Sequence, residues 1–451
     1  MAQGVAILGV PIDNVSMEEA LGRIEEFIQE GSCHQIATAN VDYLVHAQKD
    51  SGYQEILCMC DLVVADGMPL VWASRWFGAP LKERVTGSDL VPRLAALSAR
   101  KGYGIFLLGA TPEVSQGAEE RLQSQYPGMR IVGRFSPPVR PLEELDDEEI
   151  LREIERAAPD ILLVAFGSPK QEKWIHRNRA RLKVPVCIGI GGTLDFIAGA
   201  VPRAPRWMQH AGLEWVYRTW AEPRRLAGRY LRGALWTARH LTRQLAVNLA
   251  PRLDPKGLQV SIQSIGAVHI LGIEGMMAGS GLARLEDVAL SLAAYGEPLV
   301  LELTKVSHVG ADGLRTLVAL LRKARSRRCE FWLAGMTPQL ERTLRSACFE
   351  GVFRVAPTVL DAVRDASRGN LQLNLEIGDG WASCRIGGRI SGSTRRTLEE
   401  ICLRVLEMHQ HFEVDASGVP EFDPSDLICS SRGSGRLLYI NRAAHSQAGA
   451  A

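Results

Sequence analysis

The sequence predicts an α/β protein whose residues 1–200 form a mostly parallel sheet with flanking helices. Two observations predict this fold class. Short apolar runs alternate with segments of helical periodicity, which is the pattern of strand–helix–strand units. The apolar runs also end abruptly in small, polar or acidic residues, as at Thr38–Asp42 and Ala65–Gly67. Because ligands bind beyond the carboxyl ends of strands in an open α/β sheet, these residues predict a ligand site.

The individual elements follow from local signals. Ser16–Glu19 has the capping-box sequence of a helix start. The acidic run Glu143–Glu149 indicates a solvated helix N-terminus rather than a metal site, because carboxylates favour that end of the helix dipole. Further helices are predicted at Asp89–Ala99, Pro112–Gln125 and Glu148–Ala157. The predicted strands are Val5–Val10, Gln35–Ala39, Leu62–Ala65, Gly104–Leu108, Arg130–Val132, Ile161–Phe166 and Val186–Ile190.

Bulk composition excludes several classes of protein. The 52 basic and 51 acidic residues nearly cancel, so no overall charge draws the chain to nucleic acid. No apolar run approaches the about 20 residues that span a bilayer, and the N-terminus lacks the features of a secretory signal. The nine cysteines include no C-x-x-C pair and indicate free thiols in a reducing compartment. We therefore expect a cytoplasmic protein whose membrane contact, if any, is peripheral.

The composition changes after the predicted sheet. Residues 201–250 are rich in arginine and tryptophan and have helical rather than strand patterning, and residues 251–257 have the composition of a linker. Beyond it, 266–275 and 300–306 resemble 380–388 and 413–419. The repeat predicts two copies of a small α/β unit, a full one at 258–368 and a degenerate one at 369–442, followed by a disordered tail at 443–451.

One carboxylate stands out as a candidate catalytic group. Asp66 ends a dry strand, where its pKa can be tuned for proton transfer. The alternative is ordinary turn chemistry, because Asp before Gly is common where strands end. Thr38 and Asn40 on the neighbouring strand end favour catalysis. Arg84 is either a ligand-binding residue or the ion-pair partner of Asp89.

The glycine-containing strand ends are candidate substrate-binding positions. Gly109 precedes a helix N-terminus, where free N–H groups suit a phosphate, although an ordinary strand–helix turn explains it equally well. Gln171 and Glu172 follow another strand end, where they either face the cleft or only begin a helix. Gly191 and Gly192 permit close approach of the backbone to a ligand. No metal-binding motif and no nucleophile elbow occurs.

Taken in order, these motifs resemble the WecG/TagA/CpsF glycosyltransferase family, over residues 5–235. So many ordered matches are not expected by chance. The matching positions are Thr38, Asn40, Asp42, Ala65–Pro69, Arg84, Gly87, Asp89, Gly109, Gly167, Pro169, Gln171, Glu172, Gly191, Gly192, Asp195, Phe196, Gly199, Arg203–Pro205, Gly212–Trp215, Arg218 and Pro223–Arg225.

The resemblance implies an inverting, metal-independent transferase with a Rossmann-like core and no cofactor. Such enzymes move a sugar, typically N-acetylmannosamine, from a UDP-sugar to N-acetylglucosaminyl-diphospho-undecaprenol for teichoic acid or other surface glycans. Asp66 would be the general base, and Thr38, Asn40 and Gln171 would line the donor site. The appendage at 201–250 would complete the active site and dock on the inner face of the plasma membrane. Its Arg218, Arg224 and Arg225 would meet the diphosphate and anionic lipids.

The second part resembles STAS domains, the fold of anti-sigma factor antagonists, over residues 258–366. The matching run is Val300–Leu314, followed by a helix and Phe331–Gly335. Regulatory members carry a phosphorylatable Ser or Thr after an Asp at the start of that helix. Here those positions are Gly310 and Ala311, and in the second copy Asp423 and Pro424, so we expect interaction modules without a phosphorylation switch. They predict a protein partner.

The sequence thus predicts a glycosyltransferase fused to one full and one degenerate STAS-like unit. Its substrates would be a UDP-sugar and a polyprenyl-diphosphate-linked sugar. Two alternatives stay open, a catalytically inactive scaffold in which the STAS-like region dominates and a nucleotide-sugar sensor. The donor sugar is not fixed by the sequence.

Overall fold

The computed structural model describes most of the chain. The described residues are 4–205, 207–208, 214–221, 236–246, 258–265, 268–279, 281–293, 296–327, 329–367, 372–378, 381–387, 411–418 and 437–441. Their strands form sheets of two, six, five and four strands.

A six-stranded, wholly parallel sheet forms the first part of the chain and confirms the predicted fold class. Its strand order is β4-β3-β8-β7-β5-β6. β4 lies on one side of β3, and β5 to β8 lie on the other side. The direction in which strands are added therefore changes at β3, and α/β proteins bind ligands at such a change. The strands are β3 (His34–Ala39), β4 (Leu62–Ala65), β5 (Gly104–Gly109), β6 (Arg130–Phe135), β7 (Ile161–Ala165) and β8 (Val186–Gly189).

The predicted strand Val5–Val10 is wrong. The chain instead forms a two-stranded antiparallel hairpin, β1 (Gly4–Ile7) and β2 (Val10–Asp13), outside the main sheet. It turns at Leu8 and Gly9, both with positive φ. Because every residue of the hairpin is buried, the run lacks the alternation of polar and apolar residues that would have marked two strands and a turn.

Helices flank the sheet on both sides. Ser16 forms the predicted capping box, with its Oγ accepting from the N–H of Glu19 at 3.1 Å and the Glu19 carboxylate accepting from the N–H of Ser16 at 2.8 Å. Asp146 caps the helix at the acidic run, which confirms the helix start predicted there. The helices are α1 (Met17–Glu30), α2 (Val41–Lys49), α3 (Ser51–Met59), α4 (Met68–Trp76), α5 (Gly87–Lys101), α6 (Pro112–Gln125), a 3-10 turn (Leu142–Glu144), α7 (Asp147–Ala157), α8 (Lys170–Asn178), α9 (Thr193–Ala198) and α10 (Glu214–Ala221), with 236–246 also helical.

A five-stranded sheet follows, in the order β13-β12-β11-β10-β9. The pair β9 and β10 is antiparallel and the other pairs are parallel. The strands are β9 (Gln259–Ile265), β10 (Val268–Met277), β11 (Leu299–Val309), β12 (Phe331–Ala334) and β13 (Arg354–Ala356). The helices are α11 (Gly281–Ala293), α12 (Ala311–Ser326), α13 (Pro338–Ser346) and α14 (Val359–Ser367).

The last sheet repeats part of this arrangement. Its order is β14-β15-β16-β17, with an antiparallel first pair and parallel later pairs, as in β9 to β12. This pattern favours the predicted second copy, while the predicted domain limits stay predictions. The predicted linker 251–257 and tail 443–451 lie outside the described residues. The strands are β14 (Gln372–Gly378), β15 (Trp381–Gly387), β16 (His411–Gly418) and β17 (Leu437–Asn441).

Candidate active site

Asp66 lies at the carboxyl end of β4 and is half-buried. Its backbone N–H donates to the carbonyl of Ala39 at 2.7 Å, so the ends of β3 and β4 are joined beside it. The N–H of Val85 donates to the carbonyl of Ala65 at 2.9 Å, which brings the segment before α5 to the same place. Three segments therefore converge around this carboxylate, and its catalytic role stays a prediction.

Thr38 and Asn40 flank Asp66 on the end of β3. The Thr38 hydroxyl donates to the carbonyl of Gly189 at 2.9 Å and is buried, so it links β3 to β8. Asn40 is the N-cap of α2, where its Oδ1 accepts from the N–H of Asp42 at 3.0 Å. A Cβ built on Gly67 would lie 3.8 Å from the Cβ of Asn40, which places the asparagine beside the turn that follows Asp66.

Arg84 belongs to a network of two arginines and two carboxylates. Its guanidinium lies 3.6 Å from Asp89 and 3.5 Å from Glu214. Arg203 contacts the same two carboxylates, at 2.7 Å and 3.5 Å. Burial opposes ionisation of Asp89, but the hydrogen bonds from Arg203 and Thr86 outweigh it and hold the pKa of Asp89 below its usual value. The ion-pair alternative for Arg84 is therefore present in the structure.

This charge network also fixes the appendage to the core. Glu214 begins α10, so its contacts with Arg84 and Arg203 place the start of that helix beside the end of β4. Sequence analysis did not assign Arg203 or Glu214 to the site, although both lie in the matched motifs. Arg84 and Glu214 are 130 residues apart, so nothing in the local sequence indicates that they form a pair.

Gln171 ties two strand-end turns together from beneath. Its Oε1 accepts from the N–H of Gly167 at 3.1 Å and from the N–H of Gly191 at 3.0 Å. Its Nε2 donates to the Tyr43 hydroxyl at 3.1 Å and to Glu172 at 2.7 Å. Of the two alternatives, the cleft-facing one is not what the structure shows, because both residues are buried and their polar atoms bind groups of the protein. Substrate binding by Gln171 and Glu172 stays a prediction. The arrangement favours a role in positioning the two turns.

Glu172 is a fully buried carboxyl surrounded by hydroxyl groups. The hydroxyl of Tyr43 donates to it at 2.6 Å and that of Tyr53 at 3.2 Å. Burial raises the pKa of Glu172, and the hydrogen bonds to its carboxylate only partly offset that rise. Neither tyrosine was found by sequence analysis, because each lies in a helix more than 100 residues from Glu172 and helical periodicity explains it as a core residue.

The glycines at the strand ends differ in what surrounds them. Gly109 has φ +100°, and a Cβ there would lie 3.0 Å from the backbone of Ala165, so close packing of β5 against β7 explains it. A Cβ on Gly167 or Gly191 would meet nothing within 4 Å, which leaves open space above both turns. Gly192 lies in the same turn as Gly191, immediately before α9. Substrate binding at Gly109, Gly191 and Gly192 stays a prediction.

Part of the predicted site lies outside the described residues. Arg218 lies on α10 but its side chain is not described, and Arg224 and Arg225 lie in the undescribed segment 222–235. Among the side chains that are described, no three of His, Cys, Asp and Glu are grouped as metal ligands would be. The metal-independent reaction and the absence of a cofactor stay predictions.

The model of the WecG/TagA/CpsF glycosyl transferase family matches residues 5–250, more than half of the chain and all of the site described above. The chain belongs to this family. It is therefore a glycosyltransferase, as the sequence predicted. Among its relatives are N-acetylglucosaminyldiphosphoundecaprenol N-acetyl-β-D-mannosaminyltransferases of Staphylococcus aureus, from strains MRSA252 and NCTC 8325. Each is 33% identical over 224 residues, which cover 49% of this chain and 86% of the relative.

The STAS domain model matches residues 259–362 and confirms the second resemblance. Similar solved structures include an anti-sigma factor antagonist from Mycobacterium paratuberculosis, at 22% identity and a TM-score of 0.24, covering 25% of this chain and 97% of the other. Another is the unphosphorylated anti-sigma factor antagonist SpoIIAA, at 10% identity and a TM-score of 0.21, covering 25% of this chain and 99% of the other.

Proposed function

We propose that this glycosyltransferase moves N-acetylmannosamine from a UDP-sugar to N-acetylglucosaminyl-diphospho-undecaprenol, with inversion and without a metal ion. The observation that carries the proposal is Asp66 at the carboxyl end of β4, among the motifs that match the family. The names of the Staphylococcus aureus relatives support the acceptor and the transferred sugar. The UDP donor and the inverting course are what the family resemblance implies, and inversion needs one general base, the role proposed for Asp66.

The chemistry needs one base and a stabilised leaving group. Asp66 takes the proton from an acceptor hydroxyl, and that oxygen forms a bond to the anomeric carbon of the donor sugar. The bond between this carbon and the diphosphate oxygen breaks, and UDP leaves with the electron pair. Because attack and departure occur on opposite faces of the carbon, the configuration inverts in one step without a covalent enzyme intermediate.

Charge on the departing diphosphate must be met by cations or N–H groups. Arg84 lies in the segment before α5, next to Val85, whose N–H donates to the last residue of β4. Its ion-pair contacts of 3.5 and 3.6 Å are long enough to be exchanged for a phosphate oxygen. Arg203 is held more tightly by Asp89, at 2.7 Å, and so would support Arg84 rather than replace it. Arg218, Arg224 and Arg225 remain the proposed contribution of the appendage.

A donor panel tests this proposal. Purified full-length protein would be incubated with N-acetylglucosaminyl-diphospho-undecaprenol in vesicles and with UDP-N-acetylmannosamine, its uronic acid or UDP-glucose. We expect UDP release that depends on the acceptor, is fastest with UDP-N-acetylmannosamine and is unchanged by EDTA. Loss of turnover in EDTA would contradict the metal-independent mechanism. Binding of a UDP-sugar without any transfer would instead favour the sensor alternative.

Exposed tryptophans next to the site support peripheral attachment to the cytoplasmic face of the membrane. Within the described part of the chain, no helix is both long and apolar enough to cross a bilayer. Helix α4, which starts two residues after Asp66, exposes 36% of Trp72 and 60% of Trp76 on one face, together with Arg75. Tryptophan and arginine together suit the interface of an anionic bilayer. Trp220, on α10, is 79% exposed.

Replacing Trp72 and Trp76 together with serine should weaken binding to phosphatidylglycerol vesicles by about tenfold, since burial of a large apolar side chain contributes roughly 1.5–3 kcal/mol when complete. Vesicle flotation without substrates measures the effect. Leu360→Ser combined with Val139→Ser is the control, because both residues are exposed and lie away from α4, on α14 and in the loop after β6. Equal flotation of the tryptophan variant and the wild type would contradict a role of α4 in membrane binding.

A further inference from the structure

The STAS domain packs directly on the transferase core, mainly through α12. This helix contacts the β1–β2 hairpin and α3. The two hydrophobic cores interlock there, because Cys58 of α3 lies in the STAS core and Ala311 of α12 lies in the core around the hairpin. Helix α12 is therefore buried on both sides, which is why most of its residues are inaccessible to solvent.

Buried charges join the two parts. Arg315 of α12 lies 2.6 Å from Asp13 of the hairpin and 3.1 Å from Glu286 of α11, and all three side chains are at most 7% exposed. Arg322, about two turns further along the same face of α12, lies 3.6 Å from the other oxygen of Asp13. That oxygen also accepts from the backbone N–H of Val63 at 2.8 Å. Asp13 thus links the STAS arginines to β4, the strand that directly precedes Asp66.

Helix α3 connects the same interface to the catalytic turns. At its C-terminal end, the Arg322 guanidinium donates to the carbonyls of Cys58 at 2.5 Å and Leu57 at 3.4 Å, where a cation is favoured by the helix dipole. Gln54 donates to the carbonyl of Cys348, in the STAS domain.

In the first turn of the same helix, the Tyr53 hydroxyl contacts Ser168 at 2.7 Å and donates to Glu172 at 3.2 Å. One nine-residue helix therefore touches both the STAS domain and the Gln171–Glu172 cluster.

We propose that the STAS domain is a positioning part of the transferase, in which Arg322 holds α3 so that Tyr53 fixes the Gln171–Glu172 cluster. Gln171 in turn sets the backbone at Gly167 and Gly191, at the ends of β7 and β8. Tyr53 and Arg322 are positioning residues, since the role proposed for each is to hold other protein groups, Ser168 and Glu172 for Tyr53 and α3 for Arg322. The kinetic part of this inference rests on the proposed transfer reaction, and its structural part does not.

Hydrogen exchange of the full chain tests the structural part. Arg322→Met keeps the apolar stem and removes the guanidinium, and it should raise amide exchange in α3 and at Gly167 and Gly191 by about tenfold or more. Arg325→Met is the matched control, because Arg325 is also on α12 and contacts Glu55 of α3, but through an exposed pair. Unchanged exchange at both glycines in a folded Arg322→Met protein would overturn the proposal.

A double-mutant cycle tests the kinetic part. Tyr53→Phe removes one hydroxyl and leaves the ring in place, so it interrupts the connection within the transferase itself. We expect each single variant to lower kcat by roughly threefold or more, and the double variant to be little worse than either, because coupled residues are not additive. If the loss of kcat in the double variant equals the product of the two single losses, Arg322 and Tyr53 act independently, which would contradict the proposal. Arg322→Lys should restore part of the rate. A wild type without any transfer would refute the proposed reaction, while the exchange experiment would still decide the inference.

Discussion

Asp66→Asn is expected to lower turnover by about 10²–10⁴-fold, the range that a positioned general base contributes. Asparagine has almost the same shape and retains hydrogen bonding, but it cannot take the proton from the acceptor hydroxyl. The backbone contacts that hold residue 66, from its N–H to the carbonyl of Ala39, do not depend on the side chain. Folding should therefore be preserved while the chemical step is lost. Acceptor-dependent UDP release is the measurement, with thermal unfolding as the check on folding.

Glu113→Gln is the matched control for this experiment. Glu113 is an exposed carboxylate in the first turn of α6, which follows β5 at the same edge of the sheet. Its substitution changes the local charge by the same amount and should leave turnover within about twofold, since exposed charges are screened. If Asp66→Asn stays within about threefold of the wild type, Asp66 is not the base, because general bases contribute far more.

The sequence was sufficient for the parts of the site that are local in the chain. The approach of Asp66, Thr38 and Asn40 follows from two adjacent strands whose carboxyl ends must lie at one edge. The orientation of Gln171 did not follow, because its partners Tyr43 and Gly191 are 128 and 20 residues away. A polar residue at a helix start has the same pattern whether it faces a cleft or supports a turn from beneath.

The contact between the two parts of the chain also joins residues that are distant in the sequence. The STAS resemblance predicted an interaction module, and a partner protein remains a prediction. What the sequence did not reveal is that α12 is covered in cis. Ala311, at the position where regulatory STAS members carry a phosphorylatable residue, is 1% exposed and packs with residues of the hairpin core. A residue modified at that position would have to leave this contact, so an external partner is expected at other surfaces of the domain.

Arg315→Ala should lower the free energy of unfolding by about 3–5 kcal/mol, the cost of removing one partner from a buried ion pair. Arg315 is held between Asp13 and Glu286, and its loss leaves two buried carboxylates without this cation, while Asp13 keeps Arg322 at 3.6 Å. Denaturant unfolding of the full chain measures the effect. Arg325→Ala removes an exposed ion pair from the same helix and should cost less than about 1 kcal/mol. Equal losses for the two variants would contradict a special role for the buried network.

The pH dependence of that loss gives a second, independent test. Burial opposes ionisation of Asp13, but Arg315 and Arg322 outweigh it and hold the pKa of Asp13 below its ordinary value of 3.8. A carboxyl whose pKa is lowered by folding stabilises the fold above its unfolded pKa, and this contribution disappears as the pH falls through the folded value. The advantage of the wild type over Arg315→Ala should therefore be complete near neutral pH and should shrink in acid, as the pH falls toward the lowered folded pKa of Asp13. If the stability difference between the two proteins stays constant through this acid range, Arg315 stabilises the interface by packing alone. The substitution to alanine removes the apolar methylene chain of the arginine as well as its charge.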